Sequence, residues 1–353
     1  MDTVSDSGAV MTAAILHGRE DVRIEQIPIP SPGPGEVLVK IKTALTCGTD
    51  LKVYRRGYHA RMLKPPTVFG HEFSGVVDKV GDGVTQFSPG MRVVAANSAP
   101  CGKCFFCKKD KPNLCTDLLF VNGAYAEYIC LPSRIVEKNL IEIPENVTFM
   151  QAALVEPLAC VVKGVEDSDI HPGDLVGVLG TGPIAYMFVA LAKLKGAKVI
   201  SVGRRDERLS ISQKLGADYL VNSTRLDVVE AIKTISEGNY GADVMIECIG
   251  QPVWWEKAIA CLRKGGVVNL FGGCPSNTAI EVNTERLHYS ELTLKASFHH
   301  TPKHIRESLE LIATGRINTD LFISGEKPLN ELPFLFDEMA NRLNQSIKMA
   351  IIP

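Results

Sequence analysis

The sequence predicts an α/β protein of two domains, one rich in β-strands and one built on a parallel sheet with helices on both faces. Two rhythms in the chain predict it. Over residues 12–150, short apolar runs are punctuated by Gly and Pro, as in a small barrel or sandwich. From Pro172 onward, short apolar runs without alternation take turns with stretches of helical spacing. That is the pattern of strands buried on both faces between helices. At 353 residues, 45% of them apolar, the chain is long enough to fill two cores.

In the first part a strand begins near Thr12. Residues 36–42 (EVLVKIK) alternate apolar and polar with the period of a half-buried strand. The runs SGVVDKVGDGV, SPGMRVVAA and AYAEYICLP follow. In the second part, strands fall at residues 174–179 (DLVGVL), 198–202 (KVISV), 219–221, 243–248 and 267–271. Helices fall at residues 184–195 and 206–215, the second ending at Gly216, a residue suited to cap it. After about Ser297 come helices at residues 302–314 and 332–343 and a last strand at 346–352.

Composition narrows the function classes. The formal net charge is −2 and the isoelectric point lies near 6.5, so no nucleic acid or anionic membrane partner is expected. No apolar stretch reaches the ~18 residues of a membrane span. The start, MDTVSDSGAV, lacks the basic and then apolar pattern of a signal peptide and reads as a loose tail. A cytoplasmic location is expected. Of ten cysteines, Cys101, Cys104, Cys107 and Cys115 crowd together, while Cys47, Cys130, Cys160, Cys248, Cys261 and Cys274 are scattered. Clustered cysteines in a large chain read as metal binding, not as a disulfide framework.

The spacing Cys101-x2-Cys104-x2-Cys107-x7-Cys115 lets four thiolates surround one Zn2+ tetrahedrally with no open position. Such a site orders a loop and does no chemistry. Lys103, Lys108, Lys109 and Lys111 would offset part of its charge. An iron–sulfur cluster is the other metal group this spacing allows.

Gly180-Thr181-Gly182-Pro183-Ile184-Ala185 follows a predicted strand and opens a predicted helix. It reads G-x-G-x-x-A, a form of the dinucleotide fingerprint. The first glycine allows the turn, the second lets backbone approach a pyrophosphate, and the small Ala185 lets helix and strand pack closely. At the end of the second strand, an NAD-preferring protein places an acid for the adenosine ribose. Here stand Gly203, Arg204 and Arg205. Glycine leaves room for a 2′-phosphate and arginines bind it as forks, so NADP(H) is expected over NAD(H). Arg208, on the following helix, is a further candidate for the same phosphate.

Three more segments carry metal-ligand chemistry. Cys47-Gly48-Thr49-Asp50 follows the 36–42 strand, Gly70-His71-Glu72 comes next, and Glu156-Pro157 precedes the dinucleotide segment. Taken singly, they could be a buried thiol, a hydrogen-bonded histidine and a helix-capping acid. Together with the cysteine cluster and the glycine loop, in this order, they resemble the medium-chain zinc-dependent alcohol dehydrogenase family. The likeness runs from about Thr12 to the end of the chain. Cys-Gly-Thr-Asp-Leu and Gly-His-Glu are similar to both sorbitol-type polyol dehydrogenases and threonine dehydrogenases. Glu156-Pro157-Leu158 is closer to the polyol group.

The resemblance implies a GroES-like catalytic domain at residues 12–160 and 297–353, with a four-cysteine zinc lobe at about 97–118. A Rossmann domain at 161–296 would interrupt it. The resemblance further implies that Cys47 and His71 bind a catalytic zinc, with Glu72 and Glu156 bound directly or through water. Asp50 would hydrogen-bond His71 and fix its tautomer. The metal would stabilise charge developing on an alcohol oxygen as hydride passes to nicotinamide. The Thr49 hydroxyl would carry the proton outward. Relatives often continue that relay with a histidine three residues on, where this chain has Lys52. Cys248, Phe271, Gly272, Ser297 and Phe298 complete the expected cofactor contacts.

For the substrate pocket the candidates are Val53, Tyr54, His299 and His300. Sorbitol-type enzymes carry an Arg and an aromatic where this chain has Phe298-His299-His300, and tend to have Tyr at the Val53 position. Paired imidazoles could hydrogen-bond several hydroxyls. The expected protein is thus a homodimer or homotetramer with two zinc ions per chain. It would act on a secondary alcohol or its ketone: a polyol, sugar alcohol or cyclitol. The alternatives are an NAD-dependent threonine-type amino-alcohol dehydrogenase, a zinc-free quinone or enone reductase, and a non-catalytic zinc or dinucleotide sensor. The last two predict a missing or broken ligand set, whereas Cys47, Thr49, His71 and Glu156 are all present.

Overall fold

The computed structural model describes residues 8–58, 63–341 and 346–353. The first seven residues of the expected tail and the end of the helix expected at 332–343 lie outside them; the first strand starts at Val10, ahead of the expected Thr12. The chain forms two compact units. The first takes in the chain up to Pro157 with Thr301–Gly315 and Ile323–Pro353; the second is Leu158–His300 with Arg316–Phe322. The change of unit falls after Pro157. Ser297, Phe298, His299 and His300 lie in the second unit, and so does the short segment Arg316–Phe322. Among the described residues no helix is long and apolar enough to cross a membrane.

The spine of the first unit is the strand Val37–Leu45. Of its nine residues only Lys40 and Lys42 are exposed, so alternation holds mid-strand and gives way to burial at both ends. It pairs antiparallel with Glu72–Val80, Tyr128–Leu131 and Met349–Ile352. The sheet continues through Arg92–Ala95 to Leu140–Glu142 on one side and ends at Gly325–Pro328 on the other. A second sheet orders Asp21–Pro28, Val10–Gly18 and Thr67–Val68. Beneath these strands Phe69 packs on Tyr125 and Phe336, ring centroids 4.9 and 5.4 Å apart. The two long strands shift register between Ile41 and Thr43, then close with Leu45 opposite Glu72. Bulges of this kind re-aim a strand end beside a functional site. Here the shift brings the loop carrying Cys47 and the residue before Glu72, His71, to the same end of the sheet.

The second unit is a parallel sheet of Leu175–Leu179, Lys198–Gly203, Tyr219–Asn222, Ala242–Glu247, Leu262–Leu270 and Thr293–Lys295. In space they run third, second, first, fourth, fifth, sixth. The order reverses between the first and fourth strands, which pair as Leu179 with Glu247. Ligands bind at the carboxyl ends of strands at such a reversal. Gly180 and Cys248 follow those two ends. The helix expected at 206–215 runs Asp206–Lys214, and Gly216 takes the left-handed conformation, φ 101°, that ends it. The sixth strand is three residues long and carries no periodicity to announce it.

Candidate metal and dinucleotide sites

Cys47 caps the helix Gly48–Arg56: its backbone is extended and its sulfur accepts the Thr49 N–H at 3.4 Å. The cap aims Sγ back toward the sheet end where His71 emerges. His71 and Glu72 are buried. One ligand atom each of Cys47, His71 and Glu72 lies within 4.8 Å of the others. Asp50, on the same helix, places Oδ1 2.9 Å from His71 Nδ1. Tyr125 Oη lies 2.7 Å from Asp50 Oδ2 and 3.1 Å from the Leu45 carbonyl. Tyr125 packs so close to the chain that a Cβ at Gly70 would sit 2.6 Å from its ring, and Gly70 holds φ 88°. Only glycine fits both demands.

The charges around this cluster are unbalanced in a telling way. One Glu72 oxygen is paired with Lys348, which also donates to the Thr46 carbonyl at 2.9 Å. The other, Oε1, is buried and has no hydrogen-bond partner. An orphaned carboxylate oxygen is costly, and a divalent cation would satisfy it. Burial opposes charge on His71, yet Asp50 and Cys47 together hold its pKa well above the usual imidazole value. Burial raises Glu72, with Lys348 and His71 pulling the other way. Burial likewise pushes Glu156 up to about 7; His71 opposes the shift and Glu72 adds to it. A thiolate, an imidazole and carboxylates suit Zn2+. Lys348 and Tyr125 escaped the sequence reading. The signal for Lys348 was a lone cation inside the apolar run SIKMAIIP.

The four clustered cysteines are free thiols with one sulfur each within 4.8 Å of the others. Cys104 Sγ lies 3.5 Å from Cys107 Sγ and 3.8 Å from Cys115 Sγ. Metal–sulfur bonds of ~2.3 Å in a tetrahedron give sulfur–sulfur edges of about 3.8 Å. The separations fit one tetrahedral ion, and a multinuclear cluster would have to spread them further. Backbone N–H groups of Cys107 and Thr116 lower Cys104 to about 5, whereas burial raises Cys107 to about 12.

In the second unit, Gly180 turns at φ 120° and donates its N–H to the Val202 carbonyl at 2.9 Å. Gly182 caps the helix Pro183–Leu194 with Pro183 at its first turn, where the missing N–H costs nothing. A Cβ built on Gly182 meets no atom within 4 Å. Backbone at this helix start can therefore be approached closely, as a pyrophosphate requires. Ile184 is half-buried in that first turn, and Ala185 is buried 3.8 Å from a Cβ built at Gly180. At the end of the second strand, a Cβ on Gly203 would lie 2.4 Å from Thr181 Cγ2. No side chain, acidic or otherwise, fits there unless Thr181 moves. Arg204 and Arg205 are exposed; Arg208 is buried and its carbonyl accepts the Tyr186 hydroxyl at 3.0 Å.

Other residues expected at the cofactor also make contacts within their own unit. Phe271 packs edge-on against Phe188 at 4.9 Å. The Ser297 hydroxyl donates to Asp167 at 2.6 Å and accepts the Asn269 amide at 2.9 Å. Gly272 lies so close to Gly250 that a Cβ would come 2.5 Å from its nitrogen. Burial holds the Cys248 thiol well above its usual pKa. Glu247, at the end of the fourth strand, accepts N–H bonds from Ile249 and Gly250 at 2.7 and 2.9 Å and so fixes the turn after Cys248. It too escaped the sequence reading.

The pocket candidates divide. Val53 and Tyr54 are core residues: both are buried, and the Tyr54 ring lies 5.5 Å from Phe336. Both belong to the inward face of the helix Gly48–Arg56. His299 holds φ 61°, an uncommon conformation for a residue with a side chain. Its ring lies 4.0 Å from that of His300, which is buried, and Phe298 beside them is exposed.

The sequence families agree with this architecture. Residues 33–145 match the alcohol dehydrogenase GroES-like domain, and residues 183–314 match the zinc-binding dehydrogenase family. The chain is 30% identical to sorbitol dehydrogenase of Bacillus subtilis (strain 168) over 350 residues, 97% of each chain. It is 33% identical to L-threonine 3-dehydrogenase of Pyrococcus furiosus over 326 residues, 90% of each. Among solved structures, a zinc-binding dehydrogenase from Sinorhizobium meliloti 1021 bound to NADP superposes with a TM-score of 0.90. It is 32% identical, over 98% of this chain and 100% of that one. Fold and site together define an oxidoreductase with a GroES-like and a Rossmann domain. The chain belongs to the medium-chain zinc-dependent alcohol dehydrogenase family. It is a zinc-binding dehydrogenase that uses a nicotinamide cofactor on small-molecule alcohols.

Proposed function

We propose that the protein moves a hydride between NADP(H) and a secondary alcohol of the polyol, sugar-alcohol or cyclitol class, with one catalytic and one structural zinc per chain. The observation that carries the cofactor choice is the end of the second strand: a Gly203 with no room for an acid, beside two exposed arginines. Neither guanidinium has a hydrogen-bond or ion-pair partner among the described residues, so both are free to grip a 2′-phosphate. The relatives named for sorbitol and the neighbour bound to NADP support the same reading. A cytoplasmic homodimer or homotetramer accords with it.

In this reading Cys47 and His71 hold the catalytic zinc, with Glu72 and Glu156 as carboxylate ligands or as partners of a bound water. Cys101, Cys104, Cys107 and Cys115 hold the structural zinc. When bound, zinc supplies a Lewis acid for the alcohol oxygen and the nicotinamide supplies the hydride exchange. Asp50 keeps a proton on the Nδ1 side of His71, leaving the other ring nitrogen as the ligand. Burial of His71, Glu72 and Glu156 strengthens every charge interaction in the cluster. The Thr49 hydroxyl, two residues from Cys47, takes the alcohol proton. Lys52 stands where a histidine would extend that relay, so beyond Thr49 the proton would have to pass by another route.

The test is kcat/KM for NADP+ and NAD+ across polyols, cyclitols, simple secondary alcohols and L-threonine. NADP+ should be favoured by about tenfold or more, as forked arginine–phosphate contacts supply, with polyols turned over best. A clear NAD+ preference with L-threonine as the best substrate would replace this reading with the amino-alcohol one.

A further inference from the structure

Beside Gly203, Arg204 and Arg205 the second unit builds a charged group that the proposed activity leaves unused. Asp206 opens the helix Asp206–Lys214, one residue past the two arginines. Its carboxylate is held from two sides. Asn222 donates to Oδ1 at 2.7 Å, and an Arg225 nitrogen lies 2.5 Å from Oδ2. Both partners belong to the segment that ends the third strand, and that segment is pinned to the second. The Ser223 N–H donates to the Gly203 carbonyl at 2.8 Å, and its hydroxyl does so at 3.2 Å. The Asn222 carbonyl oxygen is occupied by Thr224, whose N–H and hydroxyl reach it at 3.0 and 2.7 Å. The amide is thereby oriented with its NH2 toward Asp206.

This arrangement adds little to folding. Arg225 and Asp206 are 67% and 54% exposed as side chains, and exposed ion pairs contribute little to stability. Its consequence is chemical. An ionised acid at this place accepts hydrogen bonds from an adenosine ribose and repels a 2′-phosphate. Gly203 removes the usual acid, but Asp206 stands three residues on and could serve instead. The hydrogen bond from Asn222 and the charge of Arg225 lower its pKa against partial desolvation, so the carboxylate is ionised and engaged.

We propose that Arg225 and Asn222 are specificity-determining positioning residues: they withhold Asp206 from the cofactor and keep this strand end receptive to a 2′-phosphate. The proposal rests on the NADP(H) reading above. It adds that the discrimination depends on neutralising a neighbouring acid as well as on Arg204 and Arg205.

The test is calorimetric binding of 2′,5′-ADP and of 5′-AMP to the full-length protein, so that no turnover is needed. Arg225→Ala should cut the preference for 2′,5′-ADP by roughly tenfold, since it uncovers a like charge. Binding of 5′-AMP should hold or tighten. Adding Asp206→Asn should restore most of the lost preference, because the acid being withheld is then gone. A preference unchanged within about twofold by Arg225→Ala would overturn the proposal. So would a loss that Asp206→Asn does not repair. A wild-type protein that binds both probes equally overturns the NADP(H) reading itself, and that failure is seen before any variant is made.

Discussion

Asp50 has two jobs that a single hydrogen bond would not show. Through Oδ1 it fixes the His71 ring, and through Oδ2 it is itself fixed by Tyr125, which is anchored by the Leu45 carbonyl. Burial and the charge of Asp50 keep the Tyr125 hydroxyl protonated far above neutral pH, so it remains a donor. The imidazole is thus oriented before any metal arrives. Partners of this kind set ligand geometry and basicity, and losing one typically costs 10–100-fold in affinity. Asp50→Asn should weaken zinc at the Cys47–His71 site by about that factor, read by competition with a chromophoric chelator. Tyr125→Phe should cost less, because Asp50 still meets His71. Equal affinities in wild type and Asp50→Asn would show that His71 needs no such orientation. Asp50 was legible only through the family resemblance that Cys47-Gly48-Thr49-Asp50 carries. Tyr125 was not, since nothing in AYAEYICLP says that its hydroxyl reaches 75 residues back along the chain.

Elements were legible where burial imposes a period and obscure where it does not. The strands of the second unit showed themselves as unbroken apolar runs because both faces are covered, as in Leu175–Leu179. The helix Gly48–Arg56 did not. It is nine residues long, buries only Asp50, Val53 and Tyr54, and is capped by a cysteine where Ser, Thr, Asp or Asn is the usual signal. Gly57 at φ 82° was its one readable mark. The cysteine lobe lies at the other extreme. Its spacing alone foretold the cluster, because the donors are close in sequence and local turns suffice to gather them. A helix of four residues, Phe105–Lys108, which carries Cys107, and a single 3-10 turn, Pro112–Leu114, are the only helical pieces between Cys101 and Cys115. If these cysteines hold a zinc as proposed, so little regular structure would leave the loop dependent on it. Cys104→Ser should therefore lower the zinc content from about two ions per chain to about one and make the 101–115 loop the first site of proteolysis. Retention of both ions, or loss of both, would contradict two independent sites.

At the scale of the whole molecule the chemistry is partitioned. Every residue proposed to hold a metal belongs to the first contact unit, and every residue of the glycine loop and the arginine strand end belongs to the second. The order of motifs makes this partition legible in the sequence, because each motif is local and their order along the chain follows the family's. The exact return points were not readable. Arg316–Phe322 goes back to the second unit between two stretches of the first, and no composition shift marks the crossing. The partition has a measurable consequence. If two zinc ions are held as proposed, a chelator strong enough to strip both would remove the group that polarises the alcohol and should abolish turnover. It leaves the Gly180–Ala185 turn and Arg204–Arg205 untouched, since no side chain there is a metal ligand. Nucleotide binding should persist, and by linkage it should still stabilise the stripped protein by about 2.7 kcal/mol when NADPH is present at 100 times its Kd. The measurement is a thermal melt of the stripped protein with and without NADPH, beside an activity assay before and after zinc is returned. A stripped protein whose melting temperature no longer responds to NADPH would show that the metal sites and the nucleotide site fold as one, and the partition would then describe contacts without describing function.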